Sequence, residues 1–192
     1  MIHFLWNKEV IKMTLPKGIY IITGMMASGK STVAQLLAEQ LDNSVHVHGD
    51  IYRKMIVNGR KEMTAEPSEE ALAQLRLRYH LTANTVKAYY EAGFSVVVQD
   101  NYLGKETNTF LQEFQSQSIY FITLNPSMDV IVEREMQRNK TGYHSWQVEP
   151  LYQVFVEENP QIGLWIDSSV LTPEETVAEI LKRVETEGRI GI

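Results

Sequence analysis

One short run near the N-terminus limits what this chain can become more than any other feature: Gly24-Met25-Met26-Ala27-Ser28-Gly29-Lys30-Ser31, with Thr32 directly behind it. The spacing fits G-x-x-x-x-G-K-[ST], the Walker A pattern. Its glycines let the backbone turn tightly, so that several N–H groups and the positive end of the following helix converge on phosphate oxygens. Lys30 is then placed to reach β- and γ-phosphates, and the Ser31 hydroxyl to ligate Mg²⁺. A glycine turn can match this pattern by chance, but chance does not supply the flanks. A β-branched run, GIYIIT, precedes it from Gly18 to Thr23, and Val33, Ala34, Leu36, Leu37 and Leu41 follow at helical spacing.

The rest of the chain continues the alternation. Val45 and Val47 mark a second strand that ends at Gly49 and Asp50, with a short helix from Ile51; Glu66, Pro67 and Ser68 lead into a long amphipathic helix reaching about Glu91, closed by Gly93. FSVVVQ, ending at Gln99, reads as a buried parallel strand. Helices over 105–114, 128–138 and 173–185 and strands over 119–124 and 163–166 complete the pattern. Right-handed crossovers then give an α/β, three-layer P-loop NTPase fold: a five-stranded parallel sheet with helices on both faces and ligands at the carboxyl ends of the strands. Residues 1–17 read as an N-terminal extension, with Met13 favoured as the start, and 18–192 as one domain with a helical lid near 126–160. Asn139 to Gly142 and Glu157 to Pro160 are expected to be flexible joints.

Composition narrows the partners. At 192 residues the chain fits a single domain, which buries roughly 70% of its unfolded surface. A net charge of −6 opposes nucleic-acid binding by broad phosphate neutralisation. No apolar run approaches the roughly 20 residues that cross a bilayer. The absence of cysteine suits a reducing compartment, and the cytoplasm is the expected location. Oligomeric state is left open.

Several further residues carry chemistry. No guanine-reading Asn-Lys-x-Asp run occurs, so ATP is the expected nucleotide. Asp100 ends the strand expected beside the phosphate-loop strand and is placed to hold a magnesium-bound water, unless it serves as a loop or cap aspartate. Asp50, across from the phosphate loop, is placed to take the proton of an attacking hydroxyl; the alternative is a cap for the helix from Ile51. His48, Tyr52, Arg53 and Tyr102 are candidate acceptor contacts, and Arg53 equally suits exposed solvent. His46 and His48 share one side of their strand, but spacing fixes no third ligand, so a metal site is rejected. Arg134 and Arg138 lie on one face of a helix where P-loop kinases carry an arginine-bearing lid, with Glu133 and Glu135 facing solvent.

Taken together these motifs resemble the chloramphenicol phosphotransferase-like P-loop kinases, from about Gly18 to Glu175. The resemblance rests on the Walker segment, on Gly49-Asp50, on Ala92-Gly93 running through VVVQD into Asn101-Tyr102-Leu103-Gly104, and on Arg134-Glu135 and Arg138. It implies that Asp50 is the base that activates the acceptor hydroxyl. The family carries two acidic residues where this chain has Gln99 and Asp100, and the stretch after Asp50, with Tyr52, Arg53, Met55, Asn58 and Arg60, also differs, so the acceptor is not carried over. Tyr143 to Trp146 is similar to a region of tunicamycin-resistance proteins.

The leading expectation is an ATP- and Mg²⁺-dependent kinase acting on a small-molecule hydroxyl. A nucleoside or nucleotide kinase, favoured by a basic acceptor pocket, is the alternative within enzymes. A switch that binds ATP without turnover is the alternative outside them, and it has no need of Asp50 or the lid arginines.

Overall fold

A computed structural model describes residues 15–64, 66–114, 117–137 and 148–191. Five strands, β1 (Ile19–Gly24), β2 (Ser44–His48), β3 (Ser95–Gln99), β4 (Ile119–Leu124) and β5 (Leu164–Ile166), pair in parallel in the order β2-β3-β1-β4-β5. β1, β3 and β4 are buried at every position, which is why they read as continuous apolar runs and not as alternation. From β1 the chain goes to one side for β2 and β3 and later crosses to the other for β4 and β5. The end of β1 is therefore the switch point at which an open sheet leaves a crevice.

Helices α1 (Lys30–Gln40) and α7 (Pro173–Arg183) cover one face, where Val33, Leu37, Val177 and Ile180 pack on Tyr20, Ile22, Val97 and Ile122. On the other face α3 (Glu69–Glu91) and α4 (Glu106–Leu111) bring Tyr79, Ala83, Val86 and Phe110 against Ile19, Ile21, Val98 and Phe121. The start signals of these helices are local. Ser68 accepts from Ala71 N (3.2 Å) at the head of α3, and Thr172 and Glu175 form a reciprocal capping box ahead of Pro173, each cap contributing about 1 kcal/mol.

Three features add to or depart from the sequence-based expectation. A sixth strand, β6 (Arg189–Ile190), pairs antiparallel with β4 after a π-helical turn over Val184–Gly188; two residues are too few to show a strand period. Helix α6 (Val148–Glu158) falls within the helical lid expected near 126–160, with bounds that the sequence reading does not give; Pro150 sits in its first turn, where the missing N–H costs no helical bond. The joint expected at Glu157 to Pro160 is instead the end of α6 followed by the buried Asn159. At the N-terminus, residues 15–17 already belong to the domain: Leu15 packs on the first core, Pro16 O accepts from the Tyr20 hydroxyl, and Lys17 lies over the Tyr90 ring. Met1 to Met13, the joint at Asn139 to Gly142, and Tyr143 to Trp146 lie outside the described residues.

Candidate active site

The loop between β1 and α1 has the shape its sequence requires. Gly24 has φ +147°, and a Cβ there would lie 2.5 Å from Leu124 O and 2.7 Å from Ser28 Oγ, so only glycine permits the chain to leave β1 this close to β4. Ala27 and Gly29 also take positive φ (63° and 94°); for Ala27 this left-handed geometry costs about 1 kcal/mol, retained where the loop must turn its amides inward. No side chain caps α1 at Gly29, which leaves the first amides of the helix open at the end where its dipole is positive. Lys30 is buried, and its Nζ donates to Gly24 O (2.8 Å) and Met25 O (2.7 Å), which folds the cation across the mouth of the loop. Ser31 and Thr32 are exposed in the first turn of α1. The Ser28 hydroxyl is buried without a partner in the loop.

Asp100 closes the neighbouring strand, where Asp100 N donates to Ile22 O (3.3 Å). Its carboxylate is gripped from α3: Arg78 Nε donates to Oδ2 (2.7 Å) and Nη2 to Oδ1, while Asn101 N donates to Oδ1 (2.7 Å). The side chains are 11% and 2% exposed, so this is a buried bidentate ion pair. Gly49 makes room for it, since a Cβ there would lie 2.3 Å from Asp100 Oδ2. Arg78 is the largest omission of the sequence reading. A mid-helix arginine between Leu77 and Tyr79 carries no local mark of function, because its partner lies 22 residues away.

Asp50 follows Gly49 at the head of the short helix α2 (Ile51–Lys54). Its side chain makes no capping hydrogen bond and is 43% exposed, and among the described residues it pairs with Lys54 Nζ at 2.5 Å. The cap alternative therefore has no bond behind it. Tyr52 is tied to α3 through Thr85 Oγ1 (2.5 Å), and Arg53 pairs with Glu62. The segment beyond is clamped to α3 through Gln74, which donates to Gly59 O (2.9 Å) and accepts from Lys61 N (2.9 Å), and through Glu70, which pairs with Lys61 Nζ at 3.8 Å. His48 is exposed and stacks 4.0 Å from His46, and its Nδ1 lies 3.0 Å from Gln99 Nε2. Burial first, and the neighbouring His48 second, push His46 down to about 4. Gln99, the residue that departs from the family's acidic pair, thus serves His48.

Tyr102 does not line a cleft. It is fully buried, its ring stacked on Phe110 at 4.1 Å, and burial pushes its hydroxyl pKa well up. The loop after β3 that carries it turns the side chain into the core, so this acceptor candidate is a packing residue in the fold. Arg134 lies on α5 (Met128–Met136), half-buried, with Nη2 donating to Ser168 O (2.9 Å) beyond β5; Arg138 lies outside the described residues. A third, smaller core joins Met25 of the phosphate loop to Ile131 of α5 and Leu151 and Phe155 of α6, with Met26, Ala27 and Trp165 around it. The apolar residues between the glycines are what seat the loop against these helices. The structure thus brings the loop, Lys30, Asp100 and Arg134 to the carboxyl side of the sheet, with Asp50 at the end of its edge strand.

The model of the chloramphenicol phosphotransferase-like protein family matches residues 18–185. A curated relative, a UPF0200 protein of Aeropyrum pernix, is 30% identical over 132 residues, 68% of this chain and 70% of the relative. Among solved structures, a sugar kinase from Janibacter sp. has a TM-score of 0.67 at 18% identity, covering 88% of this chain and 95% of its own. A gluconokinase from Sinorhizobium meliloti has a TM-score of 0.58 at 21% identity, covering 88% and 92%. At such identities the likeness is one of fold. With the family model spanning nearly the whole sheet, the chain belongs to the chloramphenicol phosphotransferase-like family and has the fold of the P-loop kinases.

Proposed function

We propose that the protein transfers the γ-phosphoryl group of ATP to a hydroxyl of a small, uncharged and partly apolar molecule. The observation that carries this reading is the carboxylate of Asp50, exposed at the carboxyl edge of the sheet that holds the phosphate loop, and free of any capping bond. A binding switch has no use for it. In the reaction, Asp50 accepts the proton of the acceptor hydroxyl as its oxygen attacks the γ-phosphorus, while ADP leaves. Lys30 leaves its loop carbonyls for phosphate oxygens, and Arg134, with Arg138 beyond it, meets the charge on the transferred group. The Ser31 hydroxyl, exposed in the first turn of α1, and the Asp100 carboxylate at the end of β3 are hard oxygen donors of the kind Mg²⁺ prefers; they would hold the ion, which would supply charge neutralisation at the phosphates.

The charge pattern around Asp50 favours an uncharged acceptor. Arg53, Lys54, Arg60, Lys61, Arg76, Arg78 and Lys87 each have a carboxylate within 4.0 Å, and so offer little net positive field to a phosphate or carboxylate. Ile51, Met55, Val57, Leu77 and Leu81 are exposed in the same region. On α3, Leu77, Arg78 and Leu81 lie between Gln74 and Thr85, two of the positions that bind the segment from Tyr52 to Lys61. The nucleotide-kinase alternative, which wants a basic pocket, loses support.

The test is a screen of uncharged alcohols, nucleosides, nucleotides and sugar acids with γ-labelled ATP, read by label on the acceptor. Label on an uncharged alcohol is the expected result. Label only on nucleotides or acids overturns the acceptor class, and hydrolysis without transfer to any compound overturns the kinase reading. In the same assay Lys30→Ala is expected to stay folded and to lose ATP affinity or turnover by about 10²-fold or more, as removal of one preorganised donor at the reacting phosphate does. Unchanged affinity and turnover in the folded variant refute the role of Lys30.

A further inference from the structure

We infer that Asn159 is a positioning residue, which transmits the state of the phosphate loop to the segment 100–104 that carries Asp100. The inference builds on the proposed transfer reaction but starts from hydrogen bonds that reaction does not use. Asn159 is 3% exposed, immediately after α6, and its amide is fully engaged with a segment 55 and more residues away: Oδ1 accepts from Gly104 N (2.6 Å) and Nδ2 donates to Tyr102 O (3.0 Å). Tyr102 O also accepts from Thr23 Oγ1 (2.9 Å), and Tyr102 N donates back to the same hydroxyl (3.0 Å). Thr23 precedes the first loop glycine. The segment is therefore bound at its middle to the end of β1, at Asp100 to α3 through Arg78, and from Tyr102 to Gly104 to α6.

What makes this more than an anchored turn is the other attachment of α6. Leu151 and Phe155, one helical turn apart, pack with Met25 inside the phosphate loop. Phe155 lies one turn before Asn159, and Asn159 N donates to Phe155 O (3.3 Å). A rearrangement of Met25 on binding phosphates thus meets Phe155, and Phe155 is rigidly joined to the side chain that holds Gly104. An asparagine is suited to the position because it donates and accepts at once from one flat group, which leucine cannot do and aspartate does only by half. A solvent-exposed helix end would be satisfied by water; burial makes each lost bond expensive and so keeps the two segments moving together.

The test compares full-length wild type with Asn159→Asp and Asn159→Leu. Hydrogen exchange is followed at residues 101–104 with and without Mg²⁺ and a non-hydrolysable ATP analogue, and transfer kinetics are measured where an acceptor is known. In wild type the analogue is expected to slow exchange at Tyr102, Leu103 and Gly104 as well as in the phosphate loop. In either variant the loop and Tyr102 N, which Thr23 holds, are still protected while 103–104 is not, and kcat falls by about 10-fold to 10²-fold with the KM for ATP little changed, as expected when a group near the reacting atoms is misplaced by an ångström or less. Equal nucleotide-dependent protection of 103–104 in wild type and Asn159→Asp overturns the inference, as does a variant whose melting temperature falls while kcat holds. The exchange arm needs only nucleotide binding, so it still decides the matter if no compound is phosphorylated. Should Asn159→Leu fail to fold, the near-isosteric Asn159→Asp carries the comparison.

Discussion

Asp50→Asn is expected to bind ATP and fold like the wild type while its transfer rate drops by roughly 10² to 10⁴, about 3 to 5 kcal/mol of barrier. The structure sharpens this expectation. The side chain caps nothing, so the amide disturbs no helix start, and its ion pair with the largely exposed Lys54 contributes at most about 1 kcal/mol at the surface. A general base and a positioning group then separate cleanly. Loss of the base lowers kcat, whereas loss of a hydrogen bond that only seats the acceptor raises its KM and leaves kcat nearly intact. Transfer at the wild-type rate in a folded, ATP-binding Asp50→Asn protein removes this residue from the mechanism and leaves Asp100 as the remaining carboxylate at the site.

Arg78→Leu is expected to be the most destabilising single change in the region. It removes one half of a buried ion pair and leaves Asp100, itself 2% exposed, with its charge met only by the Asn101 amide. Breaking such a pair from one side costs about 3 to 5 kcal/mol, a large part of the roughly 5 to 15 kcal/mol that holds a domain together. For a chain of this size that is a fall in Tm of about 6 to 20 °C. The double variant Arg78→Leu/Asp100→Asn is expected to recover part of the loss, because the uncompensated charge is gone. Thermal melting of both single variants and the double variant checks this. Recovery of nothing in the double variant traces the cost to α3 packing and not to the pair.

These two residues also show where the sequence was legible. Asp50 could be singled out as a candidate because it follows the end of an apolar strand and precedes a short helix, signals that lie within a few residues of it. The phosphate loop, the order of strands and helices, and the placing of β3 next to β1 came from the same local source: apolar runs, caps and glycine turns. Arg78 and Asn159 could not be found that way. Each reads locally as a solvated residue on or after a helix, and each acquires its role from a partner 22 or 55 positions distant, brought near only by the crossovers of the fold. Tyr102 failed in the opposite sense. It stands where site residues gather, but the segment after β3 packs its ring inward onto Phe110. The helical lid near 126–160 was legible as a region, while the bounds of α6 within it were not.

The place of β2 at the rim of the sheet has an evolutionary consequence. The parts proposed to handle ATP grow from β1 and β3, which are flanked on both sides, so a change there is felt through the whole core. The parts proposed to face the acceptor hang from β2 and from the outer surface of α3, where Met55, Val57 and Leu77 already lie open to water. Substitutions at such exposed positions usually shift stability by no more than about 0.5 kcal/mol. Under the proposed transfer reaction, a lineage can therefore exchange one acceptor for another by drift along this rim while the donor half stands still, so that one sheet and one phosphate loop come to serve unrelated acceptors.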